Sequence, residues 1–147
     1  MSESALASPA DLGAWLKEHK VCWELAPLRD LVKGRGVEQT GYELNLFGRF
    51  DLTAQDDDDE VAHGIHERLR ALALDALRSV AGEELVTQVE PFSREVVASD
   101  ARSTVEVELT VIVCPAHPEP SRQPAETRRQ IALVEGRLLS MGLHKRA

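Results

Sequence analysis

Apolar and polar residues alternate with a period of two along two long stretches of this chain, and recur with a helical period along three others. From Tyr42 to Leu52 the residues Tyr42, Leu44, Leu46, Gly48, Phe50 and Leu52 share one face, while Glu43, Asn45, Arg49 and Asp51 share the other with Phe47. Successive strand side chains point to opposite faces, so this stretch predicts a half-buried strand. Thr104 to Val113 alternates as cleanly, with Val105, Val107, Leu109, Val111 and Val113 inward and Glu106 and Glu108 outward. The polar turn Ser99-Asp100-Ala101-Arg102 separates it from Leu85 to Val97. There Pro91 cannot donate to a central ladder and marks an edge strand or a bulge. Two strands joined by a short turn predict an antiparallel hairpin.

Helical spacing is clearest at Val61, Ile65, Leu69, Leu72, Ala76 and Val80, which make one face of a helix. A shorter N-terminal helix within residues 1–20 is signalled by Ser8-Pro9-Ala10-Asp11, ahead of Leu12, Trp15, Leu16 and His19. The hydroxyl, the proline and the carboxylate suit the cap, the first helical position and the first turn. From about Ala125 to Gly142, Thr127, Ile131, Val134, Leu138 and Met141 share a third helical face that closes on a glycine cap. Val21 to Leu25 alternates as a brief strand. Pro27 to Gly41 reads two ways: as a helical turn bracketed by Pro27 and Gly34, or as a hairpin turning at Lys33-Gly34-Arg35-Gly36. The hairpin is preferred. Pro115, Pro118, Pro120 and Pro124 make residues 115–124 a stiff, extended connection to the last helix.

Strands that alternate apolar-in and polar-out belong to antiparallel sheets with one solvated face. The expected fold is therefore α+β, an antiparallel sheet of about four strands with amphipathic helices packed on one face, in a single domain over residues 1–147. A chain of 147 residues is long enough to bury roughly 70% of the surface its unfolded state exposes. Aromatic residues are only 4% of the chain, so Leu, Val and Ala carry the core.

Charge narrows the partners. The net charge of −8 repels a phosphate backbone, and nucleic acid is not an expected partner. It is unevenly spread: from Pro115 onward six basic residues stand against three acidic ones, so the tail is +3 and the remainder −11. No apolar run approaches the roughly 20 residues of a membrane span, and Met1 to Ala10 has neither the basic nor the apolar region of a secretory leader. With Cys22 and Cys114 as the only cysteines, a cytoplasmic setting with two free thiols is expected.

Candidate chemistry centres on Asp56-Asp57-Asp58-Asp59-Glu60, which opens the central helix. At about 100° per residue, Asp59, His63 and His66 fall in one sector, where imidazole and carboxylate suit a divalent metal. Against this, the histidines are three apart rather than four, and Arg70 projects into the same sector. Capping explains the acids without a ligand: Asp57 closes the helix N-terminus, Glu60 completes a capping box, and the other carboxylates favour the positive end of the helix dipole. No cofactor is expected, and a divalent metal at Asp59, His63 and His66 stands as the alternative. Cys114 and His117 have the spacing of a ligand pair but lack two further ligands, and Cys114 reads as the end of a buried strand. Gly34, Gly36 and Gly41 read as turn glycines; no phosphate loop, nucleophile elbow or metalloprotease signature occurs.

Five apolar residues fall outside the predicted core faces: Phe47 and Ile112 on the outer sheet face, and Leu74, Leu133 and Leu139 on the helices. They suggest an interface with an apolar centre and a polar rim, a second copy of the chain being the simplest partner. The basic last helix, through Arg128, Arg129 or Arg137, offers a salt-sensitive contact for Asp56 to Asp59. The expected function is accordingly a small cytoplasmic module without catalysis, a homodimeric interaction or regulatory protein. The alternative is a small-molecule or metal-binding domain, enzyme included, with its cleft near Asp59, His63 and His66.

Overall fold

A computed structural model describes residues 9–32, 34, 36–53, 56–80, 86–97, 103–114 and 120–146. The elements run α1 (Pro9–Glu18), β1 (Cys22–Val32), β2 (Gly36–Asp51), α2 (Asp58–Arg78), β3 (Val86–Val97), β4 (Ser103–Val113), a 3-10 turn (Pro120–Arg122), α3 (Gln123–Ser140) and β5 (His144–Lys145). The strands form one sheet in the order β3-β4-β2-β1-β5.

The four long strands pair antiparallel, and the clean alternation in β2 and β4 becomes the centre of the sheet, with Leu44 opposite Val111 and Leu46 opposite Leu109. The β1–β2 arm is the hairpin reading of residues 26–41: Val32 pairs with Gly36, and Gly34 and Gly36 both take positive φ. Pro91 lies in β3, the edge strand, whose register slips between Val86 and Gln88. Ser8, Lys33, Arg35, the turn at 99–102 and residues 115–119 with His117 lie outside the described residues.

Two expectations are corrected. The sheet is mixed rather than purely antiparallel, because β5 adds in parallel to β1 through Cys22–His144 and Trp23–Lys145. Two residues are too few to show alternation, so the sequence carries no strand signal there. The connection expected to run extended over 115–124 turns helical by Pro120, and Pro124 sits in the first turn of α3, where a missing N–H costs nothing.

Buried residues of all three helices share one core with the inward residues of the strands: Leu12 and Leu16 from α1, Leu69 and Leu72 from α2, Val134 and Leu138 from α3. The α3 face is rotated from the expected stripe. Gln130 is buried to 2% exposure while Ile131 is only partly covered. The reason is a polar anchor: Tyr42 Oη donates to Gln130 Oε1 at 3.0 Å, and Gln130 Nε2 donates to Glu126 Oε2 at 2.9 Å. A buried amide with both ends bonded locates α3 over β2 without leaving an orphaned group. Burial holds the Tyr42 phenol well above its ordinary pKa, with Glu126 adding to the rise.

A stack ties α1 to the rest. Arg68 of α2 lies 5.1 Å over the Trp15 ring, Trp15 stacks on His19 at 4.3 Å, and His19 stacks on Phe50 of β2 at 5.1 Å. His19 Nδ1 donates to Trp15 O at 2.9 Å, and its backbone carbonyl accepts from Arg49 N–H at 2.7 Å. His19, expected at helical spacing with Leu12, Trp15 and Leu16, is therefore a joint between helix and sheet just past the end of α1.

Candidate functional site

The acidic run behaves as a helix start. Asp57 is the N-cap of α2, its Oδ1 accepting from Asp59 N at 3.0 Å and Glu60 N at 3.2 Å. These contacts satisfy backbone donors that have no partner within the helix. Asp59 and His63 are exposed. The His66 side chain is 18% exposed, with Nδ1 3.9 Å from Glu67 and Nε2 buried without a hydrogen-bond partner. Burial lowers the His66 pKa from its ordinary value; Glu67 opposes this, while Arg70 and His63 reinforce it. Among the described residues, the donors within 4.8 Å of one another are those of Asp57, Asp58 and Asp59, and neither histidine joins them. Asp57 Oδ1 and Asp58 Oδ1 are already engaged by backbone N–H groups.

The basic last helix finds other partners. Arg137 pairs with Asp75 of α2 at 2.6 Å, and Arg129 makes a two-pronged contact with Glu126 one turn away. The two cysteines are well apart: Cys22 lies opposite Phe47 and Val113 opposite Tyr42, a separation of roughly 17 Å along β2 at the usual strand rise. A disulfide requires Cα atoms within about 7 Å. Burial raises the Cys22 thiol pKa, with Arg146 opposing and Glu24 adding, which is the reverse of nucleophile activation.

The five outlying apolar residues divide between two sides of the molecule. Phe47 and Ile112 lie on the sheet face away from the core; Leu133 and Leu139 lie on α3 at 46% and 55% exposure, and Leu74 is half-buried on α2. On the open sheet face Ile112 is opposite Glu43 and Phe47 opposite Glu108, which separates the two apolar side chains by roughly 13 Å along the strands. A polar ladder fills the interval: Thr110 Oγ1 donates to Asn45 Oδ1 at 2.5 Å, and Asn45 Nδ2 donates to Glu43 Oε1 at 3.2 Å.

A concavity with charged walls lies on this face, a cleft of about 430 Å³ lined by Lys20, Phe47, Arg49, Glu106, Glu108 and Arg146 over the backbone of Gly48 and Val107. Each wall has a structural cause. The strand β1 begins only at Cys22, opposite Phe47, so β2 runs on past it toward Arg49 and leaves a step in the sheet. Lys20 fills the rim of that step from the turn after α1, with φ of +49°. On the other side, β4 places Glu106 opposite Arg49 and Glu108 opposite Phe47. The last residues of the chain complete the wall: Arg146 N–H donates to Trp23 O at 2.7 Å, and its guanidinium lies 4.3 Å over the Phe47 ring. Gly48 has no side chain to turn inward, and a Cβ there would meet Ile65 at 2.9 Å, so α2 packs close beneath the floor.

Alternation placed Phe47, Arg49, Glu106 and Glu108 on one face. The contributions of Lys20 and Arg146 depend on the helix end before β1 and on the unsignalled strand β5, and local pattern shows neither. The chain matches no family model, no curated protein and no solved structure. Among the described residues, no helix is long and apolar enough to cross a membrane.

Proposed function

We propose that this chain is a small cytoplasmic α+β interaction module without catalysis, acting as a homodimer in which a second copy docks on the open face of the sheet. The observation that carries this reading is the opposition of charge within the cleft on that face, with Lys20, Arg49 and Arg146 on one side and Glu106 and Glu108 of β4 on the other, while Asp51 and Glu24 stand beside Arg49 and Arg146. A two-fold axis between stacked sheets and parallel to the strands lays the β2 column of one copy over the β4 column of the other. Arg49 then faces the partner's Glu106, and the same contact recurs in reverse, as an isologous interface requires. Pairing through sheet edges is disfavoured, because Pro27 in β1 and Pro91 in β3 interrupt both outermost long strands.

Sedimentation at low and high salt tests the reading. Association is expected at low salt and is expected to weaken as ions screen the face. Arg49→Glu and Glu106→Arg should each raise the dimer Kd about tenfold, roughly 1.4 kcal/mol, and the double reversal should restore it. A monomer at millimolar protein concentration, unmoved by salt, would overturn the homodimer.

A further inference from the structure

We infer that the cleft on the open face binds a small zwitterion, its anionic group held by Lys20, Arg49 and Arg146 and its cationic group by Glu106 and Glu108. The inference uses the face assigned above to the second copy, so ligand and second copy compete for Arg49 and Glu106, and it does not require the dimer. At about 430 Å³ the cleft is in the range of small-molecule sites, roughly 300–1,000 Å³. Its cationic and anionic walls rise from adjacent strands, with Arg49 directly opposite Glu106 and the Gly48–Val107 pair as floor beside them. A ligand with one charge meets an attractive wall and a repulsive one. A ligand with both, joined by a short methylene spacer, satisfies each wall.

The cations are loosely engaged. Arg49 Nε is 3.9 Å from Asp51 Oδ1, and Arg146 NH1 is 3.9 Å from Glu24 Oε1, with all four side chains about half-exposed. Such surface pairs are weak, whereas a carboxylate taken bidentately by arginine makes shorter, charge-assisted hydrogen bonds. The third cation sits at a backbone cost. Lys20 is the non-glycine residue at positive φ among the described residues, and it occupies the position after α1 where glycine normally ends a helix. A glycine would serve the helix end better; lysine adds an ammonium at the rim of the cleft. Backbone strain retained beside a concavity is a reason to look for function there.

Calorimetric titration with γ-aminobutyrate and ε-aminocaproate, against caproate and n-hexylamine as single-charge controls, tests the inference. Saturable binding is expected for at least one of the two zwitterions, with each control at least fivefold weaker. Lys20→Gly should weaken zwitterion binding at least threefold while leaving the thermal midpoint unchanged or raised, so a folding defect cannot account for the loss. Glu106→Gln should weaken it by a similar factor. No saturable binding of either zwitterion overturns the inference, as does equal binding of a single-charge control or undiminished binding by Lys20→Gly. Sedimentation of the same samples separates the two proposals. A dimer that binds no zwitterion leaves the homodimer standing alone; a monomer that binds one leaves only the cleft.

Discussion

The ends of α1 and α3 are built to the same plan and closed by different residues. After α1, Val21 N–H donates to Leu16 O at 3.0 Å and Lys20 N–H to Lys17 O at 3.3 Å; after α3, Leu143 N–H donates to Leu138 O at 3.1 Å and Gly142 N–H to Leu139 O at 3.1 Å. Both are the paired hydrogen bonds of a Schellman ending. The left-handed residue is Lys20 in one, at φ +49°, and Gly142 in the other, at φ +89°. In each, the residue after the turn and the third residue from the helix end, Val21 and Leu16 at one and Leu143 and Leu138 at the other, are buried in the core. The chain then leaves both helices in the same direction, which is why Cys22 and His144 pair in parallel. The buried apolar pair and its hydrogen bonds specify the turn; glycine lowers its cost without being necessary to it.

The sharpest way to break the equivalence is to remove the apolar pair. Leu138→Ala should cost about 2–5 kcal/mol, as buried leucine truncations do. Leu138 is fully buried and Leu16 is 6% exposed, so Leu16→Ala should fall toward the lower end of that range. Urea denaturation of both variants measures the difference. If Leu138→Ala costs less than a surface substitution, the packing does not hold the α3 ending.

The next effect is smaller and isolates the backbone. A Cβ at Gly142 would meet only Leu16 Cδ1 at 3.9 Å, an ordinary contact. Gly142→Ala therefore loses no space and pays for the left-handed conformation, about 1–2 kcal/mol, less the roughly 0.5–1 kcal/mol regained because alanine loses less freedom on folding, a net cost of about 0.5–1 kcal/mol. A cost near zero in thermal or chemical melts would mean that the turn relaxes out of that conformation.

These two helix ends also show what local pattern can and cannot disclose. Gly142 was readable as a cap because glycine advertises positive φ, and Asp57 was readable because a carboxylate before an apolar-periodic run suits backbone N–H groups. Lysine carries no such signal, so the turn at Lys20 was invisible, and the cleft that Lys20 rims was invisible with it. The alternation of β2 and β4 disclosed their faces and their pairing class. It did not disclose β5, whose position follows from where α3 ends in space, or Gln130, whose burial depends on Tyr42, 88 residues away. The acids of 56–60 and the arginines of α3 drew attention by charge alone, whereas the contact that forms is Arg137 with Asp75. Its partners have no distinguishing sequence context.

The smallest expected effect tests the comparison most closely. Lys20→Gly relieves a left-handed side-chain residue, a gain of about 1–2 kcal/mol, and gives back roughly 0.5–1 kcal/mol because glycine loses more freedom on folding. The net result should be a stabilisation of about 0.5–1 kcal/mol. Lys20→Ala keeps the strained φ and should show no such gain. The stability difference between glycine and alanine at position 20 should thus match that at position 142 to within about 0.5 kcal/mol, the tolerance of independent sites. Equal differences would establish that the two endings impose one backbone demand, leaving the ammonium of Lys20 as the feature that distinguishes them. A markedly smaller difference at position 20 would instead show that the α1 ending holds its turn loosely and that no backbone strain is retained beside the cleft.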